Sequence, residues 1–239
     1  RALGALLHGS TLIASRDPAQ WAEAGVTLVS TSTVIAASVL SDVVLASKLP
    51  MIEVLGSKID TDLALHLLAS FDQIDHSYGA TETNRSFSNR LSLADDGSVR
   101  TVGRPRDSEI QIVDADDKLC PQGAEGVVRV KNAYLASGYL TDSQAEKMAF
   151  RDGWFYPGDI AKWGREGAFL VQRRDDDVIN IGGQKVHALA VDRLFTGVDG
   201  IADAVCFKNP KPGARDELFA FVVYAERVNK LQAQASAKY

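Results

Sequence analysis

The sequence predicts an α/β fold at its start, a small β-rich, barrel-like portion in its middle and a small α+β portion at its end. Three observations predict this. From Leu3 to Val54 short apolar runs alternate with segments of helical spacing. After Thr83 the texture changes to short β-like pieces punctuated by Gly and Pro. Beyond Asp176 an alternation of α and β patterns returns. A chain of 239 residues exceeds the usual single domain and permits one large or two smaller ones. The boundary is placed so that residues 1–175 form one domain, α/β over 1–83 and β-rich over 84–175, and residues 176–239 another.

Ser10 to Ala14 reads as a strand. Asp17-Pro18 opens a helix that runs through Trp21 and ends at Gly25, because a capping carboxylate followed by proline starts a helix and glycine stops one. Val26 to Val29 is a buried strand, Val34 to Ala46 a helix, and Met51 to Leu55 a further strand. Asp60 to Phe71 carries Leu63, Leu67 and Leu68 at helical spacing, and Gln73 to His76 is the next strand, running into Tyr78-Gly79. In the middle portion Glu109 to Val113, Gly126 to Val130 and Phe169 to Arg173 are strands. Asp95-Asp96-Gly97, Asp114 to Lys118 and Gly164 to Gly167 turn the chain between strands. The last portion reads as strand Val178 to Ile181, helix Ala188 to Phe195, strands Ala204 to Phe207 and Leu218 to Tyr224, and a helix from Arg227 onward.

Composition narrows the function classes. With 46% hydrophobic and 24% charged residues the chain is an ordinary globular protein rather than a disordered or fibrous one. Its 26 Lys and Arg against 31 Asp and Glu leave a formal charge of −5, so it lacks the basic surplus that neutralises a nucleic-acid backbone, and no nucleic-acid partner is expected. No stretch approaches the apolar length of a membrane span. Arg1 to Leu7 resembles a signal sequence only superficially, since the run breaks at His8-Gly9-Ser10. Cys120 and Cys206 lie far apart and read as thiols in a reducing compartment, which together place the protein in the cytoplasm. His8, His66, His76 and His187 are not spaced as a zinc site.

Three strings carry chemistry. Ser77-Tyr78-Gly79-Ala80-Thr81-Glu82-Thr83 follows a strand and sets a hydroxyl beside a carboxylate. That pair suits a phosphate and its magnesium ion, which takes hard oxygen ligands and only one or two from protein, at a strand end where ligands of α/β sheets settle. The same string is also an ordinary turn. Asp152-Gly153-Trp154-Phe155-Tyr156-Pro157-Gly158-Asp159 reads locally as a β-hairpin with a Pro-Gly turn, yet its last carboxylate on a rigid turn suits the two hydroxyls of a ribose. Arg173-Arg174-Asp175-Asp176-Asp177-Val178-Ile179-Asn180-Ile181-Gly182-Gly183-Gln184-Lys185 is either a solvated charged turn or an interdomain hinge followed by a glycine loop able to approach a ligand.

In this order and spacing the strings resemble the adenylate-forming superfamily of acyl- and aryl-CoA ligases, luciferase and peptide-synthetase adenylation domains. The likeness extends to Val102-Gly103-Arg104-Pro105, Gly123-Ala124-Glu125-Gly126, Gly138-Tyr139 and Gly153-Trp154 with Gly158-Asp159, where Pro157 replaces the family's threonine. The resemblance implies the adenylate-forming enzyme fold and a set of roles. Tyr78 stacks on adenine with Ser77 and Gly79 lining its pocket, Thr81 touches the α-phosphate, and Glu82 holds the magnesium ion. Asp159 holds the ribose, Arg174 contacts ribose or phosphate, and Asp176 is the hinge of the C-terminal domain. Anchoring on Asp176 to Asn180 selects Arg174, with Arg173 in the adjacent slot. Gly182, Gly183 and Lys185 belong to the loop met by the acceptor thiol, Lys185 standing where the family carries arginine.

The implied reaction activates a small carboxylic acid with ATP and Mg2+, giving an acyl-adenylate and pyrophosphate, and then a thioester on CoA or a carrier-protein thiol with release of AMP. CoA is favoured because no carrier domain is visible in the sequence. The resemblance also implies a Ser/Thr/Gly-rich phosphate loop upstream and a lysine near the end of the C-terminal domain. Ser30-Thr31-Ser32-Thr33 and Lys238 do not match them, so the fold is expected to be incomplete at both ends and the chain to be the C-terminal portion of a ligase. The acyl pocket of relatives is lined partly by the segments matching Val29 to Ala36, Leu55 to Ser57 and His76 to Ala80; Val34, Ile35 and Leu55 favour an aromatic or fatty acid. The alternative is a non-catalytic nucleotide-binding or interaction module derived from this fold.

Overall fold

The structure, a computed structural model, describes residues 6–15, 17–40, 43–141, 143–174, 178–181, 184–209 and 217–225. The chain divides into two compact units, one of Arg1–Pro157 with Ala161–Val171 and one of Gly158–Ile160 with Gln172–Tyr239.

The first unit begins with helix α1 (Pro18–Glu23), capped by the Asp17 carboxylate, which accepts from the Ala19 amide at 3.0 Å. A five-stranded sheet follows in the order β1 (Leu28–Ser32), β2 (Leu49–Leu55), β3 (Phe71–Ala80), β4 (Asn84–Leu93), β5 (Val99–Pro105). β1, β2 and β3 run parallel because helices α2 (Thr33–Leu40) and α3 (Thr61–Ser70) cross over between them, whereas β3, β4 and β5 are antiparallel and need only tight turns. Helix α3 starts where the Asp60 carboxylate accepts from the Leu63 amide at 2.8 Å, and Asp62 lies in its first turn, where negative charge is favoured. Its Ala64, Leu67 and Leu68 pack with Ile52, Val54 and Ile74 of the sheet in one core. Full burial of such a leucine contributes about 1.5–3 kcal/mol.

Two expectations for this region are corrected. Ser10 to Ala14 is irregular, with Leu12 and Ile13 exposed: among the described residues no strand pairs with it, and a strand needs a partner for its backbone groups. The helix expected to reach Ala46 stops at Leu40. The chain returning to β2 is held instead by the Leu45 amide, which donates to Ser70 Oγ at 3.0 Å.

The β-rich portion adds β6 (Ser108–Val113), β7 (Gly126–Asn132), helix α4 (Ser143–Ala149), β8 (Phe150–Arg151), β9 (Trp154–Phe155), β10 (Asp159–Trp163) and β11 (Phe169–Arg174). Their sheet runs β11-β10-β7-β9-β8 with β6 also on β7, an open path rather than a closed barrel among the described residues. Phe87 of β4 packs into its core with Ile112, Val128, Val130, Ala161 and Phe169. The aromatic hairpin turns at Asp152-Gly153, both with positive φ (51° and 77°), rather than at Pro157-Gly158. Asp-Gly is the pair that such a two-residue turn favours, since both central residues need that conformation.

The second unit contains the antiparallel pair β12 (Val178–Ile181) and β13 (Gln184–His187), helix α5 (Ala188–Thr196), and the antiparallel pair β14 (Ile201–Asn209) and β15 (Glu217–Tyr224). Ala188 and Cys206 pack with Val191, Phe195 and Leu218, and Ile201 and Ala204 with Val198, Val222 and Tyr224. The helix expected from Arg227 lies outside the described residues.

Candidate active site

The first chemistry-bearing string lies where β3 turns into β4. Ala80 pairs with Asn84, so Thr81, Glu82 and Thr83 form the tight connection, and the register shifts between Tyr78 and Gly79. A Cβ on Gly79 would collide with the Asn84 carbonyl oxygen, so only glycine permits this approach. The turn is locked from inside and from outside. Ser86 Oγ donates to the buried Thr83 Oγ1 at 3.0 Å, while the Thr83 amide donates to the Ala80 carbonyl at 3.2 Å. Asn132 Nδ2, at the end of β7, donates to the Thr83 carbonyl, and from the loop after it the Ala136 amide donates to the Glu82 carbonyl, each at 2.8 Å.

Those bonds hold the backbone; a phenol holds the carboxylate. The Tyr139 hydroxyl donates to Glu82 Oε1 at 2.6 Å, a short charge-assisted bond, and the Tyr139 ring meets Phe150 edge-on at 5.3 Å. Glu82 is half-buried and Thr81 exposed. Among the described residues no group of three or more His, Cys, Asp or Glu side chains gathers to hold a metal. A single carboxylate fixed at a strand end nevertheless fits Mg2+, which binds through one or two carboxylates and completes its shell with phosphate and water.

Strand alternation separates the neighbours of this turn. The Tyr78 ring packs on Phe169 with centroids 4.8 Å apart. Ser77 faces the other way, is buried, and its Oγ lies 3.4 Å from Glu53 Oε1, to which it donates. Ser30, Glu53, Asp75 and Arg90 stand in direct register across β1, β2, β3 and β4. Ser30 Oγ donates to Glu53 Oε2 at 2.9 Å, and Arg85 Nη1 pairs with Glu53 and lies 3.8 Å from Asp75 Oδ2. Arg106 Nη2 donates to Asp75 Oδ2 at 2.8 Å, and Arg90 Nε lies 3.5 Å from Asp75 Oδ1 without hydrogen-bond geometry. Both carboxylates are buried. On the opposite face His76 sits with Nε2 3.1 Å from the Ser57 carbonyl; burial pushes its pKa below the usual histidine value, against the opposing pull of that carbonyl and of Asp75.

In the second unit Asp159, the first residue of β10, is buried, and Arg174 Nε at the end of β11 lies 3.2 Å from its Oδ1. Arg174 is thus set against Asp159. Asp176, Gly182 and Gly183 lie outside the described residues; Lys185 is opposite Asn180 in the β12–β13 pair.

Sequence reasoning missed the Tyr139 contact and the Glu53–Arg85–Asp75 cluster. Asp75 and Ser77 two apart on a strand were a visible polar alternation, and Gly138-Tyr139 a visible landmark. Ser77 is 24 residues from Glu53 and Tyr139 57 from Glu82, and only pairing of strands and loops identifies such partners.

Comparison with known proteins accords with this geometry. The model of a family described as AMP-binding enzyme matches residues 1–140. A 2-hydroxy-7-methoxy-5-methyl-1-naphthoate–CoA ligase of Streptomyces carzinostaticus is 28% identical over 241 residues, covering 94% of this chain and 43% of that ligase. A salicylyl-CoA synthase/salicylate adenylyltransferase of a Streptomyces species is 34% identical over 132 residues, 54% of this chain and 24% of that enzyme. Among solved structures, o-succinylbenzoate CoA synthetase from Bacillus subtilis in complex with its acyl-adenylate intermediate superposes with a TM-score of 0.72 at 19% identity, over 99% of this chain and 50% of that one. The chain therefore spans half or less of the length of these proteins and shares the adenylate-forming fold. It belongs to the AMP-binding enzyme family.

Proposed function

We propose that the chain is part of an ATP-dependent carboxylate-activating ligase that forms an acyl-adenylate and passes the acyl group to a thiol, that of CoA. The observation that carries this reading is the Glu82 carboxylate, fixed at the strand end by its backbone, by Tyr139 and by the loop after β7. In the first half-reaction an oxygen of the substrate carboxylate bonds to the α-phosphorus of ATP, the bond from that phosphorus to its bridging oxygen breaks, and pyrophosphate leaves. In the second the thiol sulfur bonds to the acyl carbon, AMP leaves with the electron pair, and the thiol proton passes to solvent.

Each named residue has a place in this scheme. Tyr78, with Ser77 and Gly79 beside it in sequence, offers a ring for adenine. Thr81 offers a hydroxyl to the α-phosphate, and Glu82 a ligand to Mg2+, which neutralises charge on the phosphate oxygens. Asp159 accepts from the ribose hydroxyls, with Arg174 beside it. Asp176 is the hinge, and Gly182, Gly183 and Lys185 are the loop met by the thiol. The acid is an aromatic one: the two relatives above are named for a 2-hydroxy-1-naphthoate and for salicylate, both aromatic acids with a hydroxyl next to the carboxyl. A cytoplasmic setting agrees with two free cysteines, and no described helix is long and apolar enough to cross a membrane.

Carboxylate-dependent exchange of labelled pyrophosphate into ATP tests the reading, measured on the longest protein containing this sequence and on the 239 residues alone. Exchange by the longer protein that Glu82→Ala and Asp159→Ala abolish supports it. Binding of ATP without exchange under any acid favours the non-catalytic nucleotide-binding module, and robust exchange by the 239 residues alone overturns the expectation that they need the remainder of a ligase.

A further inference from the structure

The surroundings of Glu82 decide how its carboxylate can meet a cation. The Tyr139 hydroxyl donates to Oε1 at 2.6 Å, and Oε2 has no partner among the described residues. Tyr139 is itself held, because its ring meets Phe150 edge-on at 5.3 Å and Phe150 in turn packs on Phe155 with centroids 5.1 Å apart. The phenol therefore approaches the carboxylate from a fixed direction.

The backbone of the same turn is engaged as well. The carbonyls of Ala80, Glu82 and Thr83 accept from the Thr83 amide, the Ala136 amide and Asn132 Nδ2 at 3.2, 2.8 and 2.8 Å. With no cluster of further carboxylates among the described residues, the side chains of the turn offer a cation one carboxylate oxygen, with the exposed Thr81 hydroxyl next to it in sequence. Such a set selects by what it withholds. Ca2+ takes roughly six to eight oxygen ligands, with carboxylates able to bind through both oxygens and backbone carbonyls among the rest. Mg2+ demands near-octahedral geometry, keeps several waters and binds protein through one or two carboxylates.

We propose that Tyr139 is a positioning residue that confines Glu82 to one coordinating oxygen, Oε2, and thereby makes the site select Mg2+ over Ca2+. To bind through both oxygens Glu82 would have to give up its short charge-assisted bond from Tyr139, a cost that falls on Ca2+ and not on Mg2+. Mn2+, which also takes octahedral oxygen sites, passes the same filter. The inference rests on the ligase reading and adds to it the residue that sets the choice of cation.

The test uses the longest protein containing this sequence and an ATP analogue with a methylene between its α- and β-phosphates, bound in the presence of Mg2+, Mn2+, Ca2+ or a chelator, with affinity measured by calorimetry. The parent protein is expected to bind the analogue equally with Mg2+ and Mn2+ and on the order of tenfold more weakly with Ca2+, the size of one hydrogen bond to a charged group. Tyr139→Phe should bring the Mg2+ to Ca2+ ratio close to one and leave binding in chelator unchanged. Infrared difference spectra, cation minus chelator, with isotope-labelled Glu carboxylates read the coordination directly. The parent with Mg2+ should show the wide splitting of carboxylate stretches that marks a single coordinating oxygen, and Tyr139→Phe with Ca2+ the narrow splitting that marks two. A narrow splitting in the parent with Mg2+ overturns the proposal whether or not the variant folds. So does a ratio that Tyr139→Phe leaves intact, or a loss equal in every cation and in chelator. Equal binding by the parent with Mg2+ and Ca2+, or cation dependence that survives Glu82→Gln, overturns it while pyrophosphate exchange keeps the ligase reading standing. Failure of the analogue to bind, together with absence of that exchange, removes the ligase reading and the proposal with it.

Discussion

The two faces of the five-stranded sheet are made from the same strands and held by opposite physics. On one, Ile52, Val54 and Ile74 meet Ala64, Leu67 and Leu68 of helix α3 in a core without charge. On the other, Glu53 and Asp75 occupy the alternate positions of β2 and β3, buried as deeply, and are balanced by Arg85, Arg90 and Arg106. The apolar face tolerates any partner of the right volume, since dispersion and hydrophobic burial are non-directional. The charged face works only with its partners in place, because a buried carboxylate without a donor carries its full desolvation cost. The contrast separates a face held by volume from one held by specific partners.

The largest effect that can separate the faces is a cavity in the apolar one. Leu67 is fully buried, so Leu67→Ala should lower unfolding free energy by about 4 kcal/mol, read from the denaturant midpoint. An effect below about 1 kcal/mol would show that this face is not closely packed. On the charged face, Asp75→Ala strands Arg90 and Arg106 and should cost about 3 kcal/mol in the same measurement. Because both arginines can turn toward solvent, a much smaller loss would mean that they do so.

A finer comparison concerns the turn between β3 and β4. Tyr139→Phe keeps the ring against Phe150 and removes the hydroxyl from Glu82. It should leave thermal stability nearly unchanged and weaken magnesium-dependent nucleotide binding by about tenfold. Equal losses with and without magnesium would assign Tyr139 to packing instead. The smallest expected effect belongs to His76. Burial lowers its pKa, so the unfolded chain binds the proton more readily; the stability this contributes is complete above the unfolded value of about 6.5 and is lost as pH falls through the lower folded value. Between about pH 7.5 and about pH 5.5, His76→Gln should lose less Tm than the parent protein. A parallel decline in both would place the sensitivity elsewhere.

Much of the first unit was legible in the sequence because helix α3 and strands β2 and β3 carry unambiguous apolar periods between clear stops. β4 and β5 were not. Asn84-Arg85-Ser86-Phe87-Ser88-Asn89-Arg90 is polar on both faces and offers no hydrophobic alternation to read. Its strand exists because the tight turn at Thr81 to Thr83 returns it onto β3, where Arg90 Nη1 donates to Gln73 Oε1 at 2.6 Å and Asn89 exchanges hydrogen bonds with the Phe169 backbone at 2.7 and 2.9 Å. The hairpin at Asp152-Gly153 was misplaced to the following Pro-Gly, since both dipeptides favour turns and only the pairing of Phe150 with Phe155 decides between them.

The sequence by itself determined the order of the chemical strings, and with it the family, because reactive groups and the glycines beside them are local in the chain. What only the tertiary structure decided was partnership: that Tyr139 orients Glu82, that Arg174 faces Asp159, and that Arg85 shares a buried carboxylate with two serines. Local spacing sets which groups are present. Long-range strand pairing sets which of them share a small volume of low dielectric, where hydrogen bonding and charge acquire their strength.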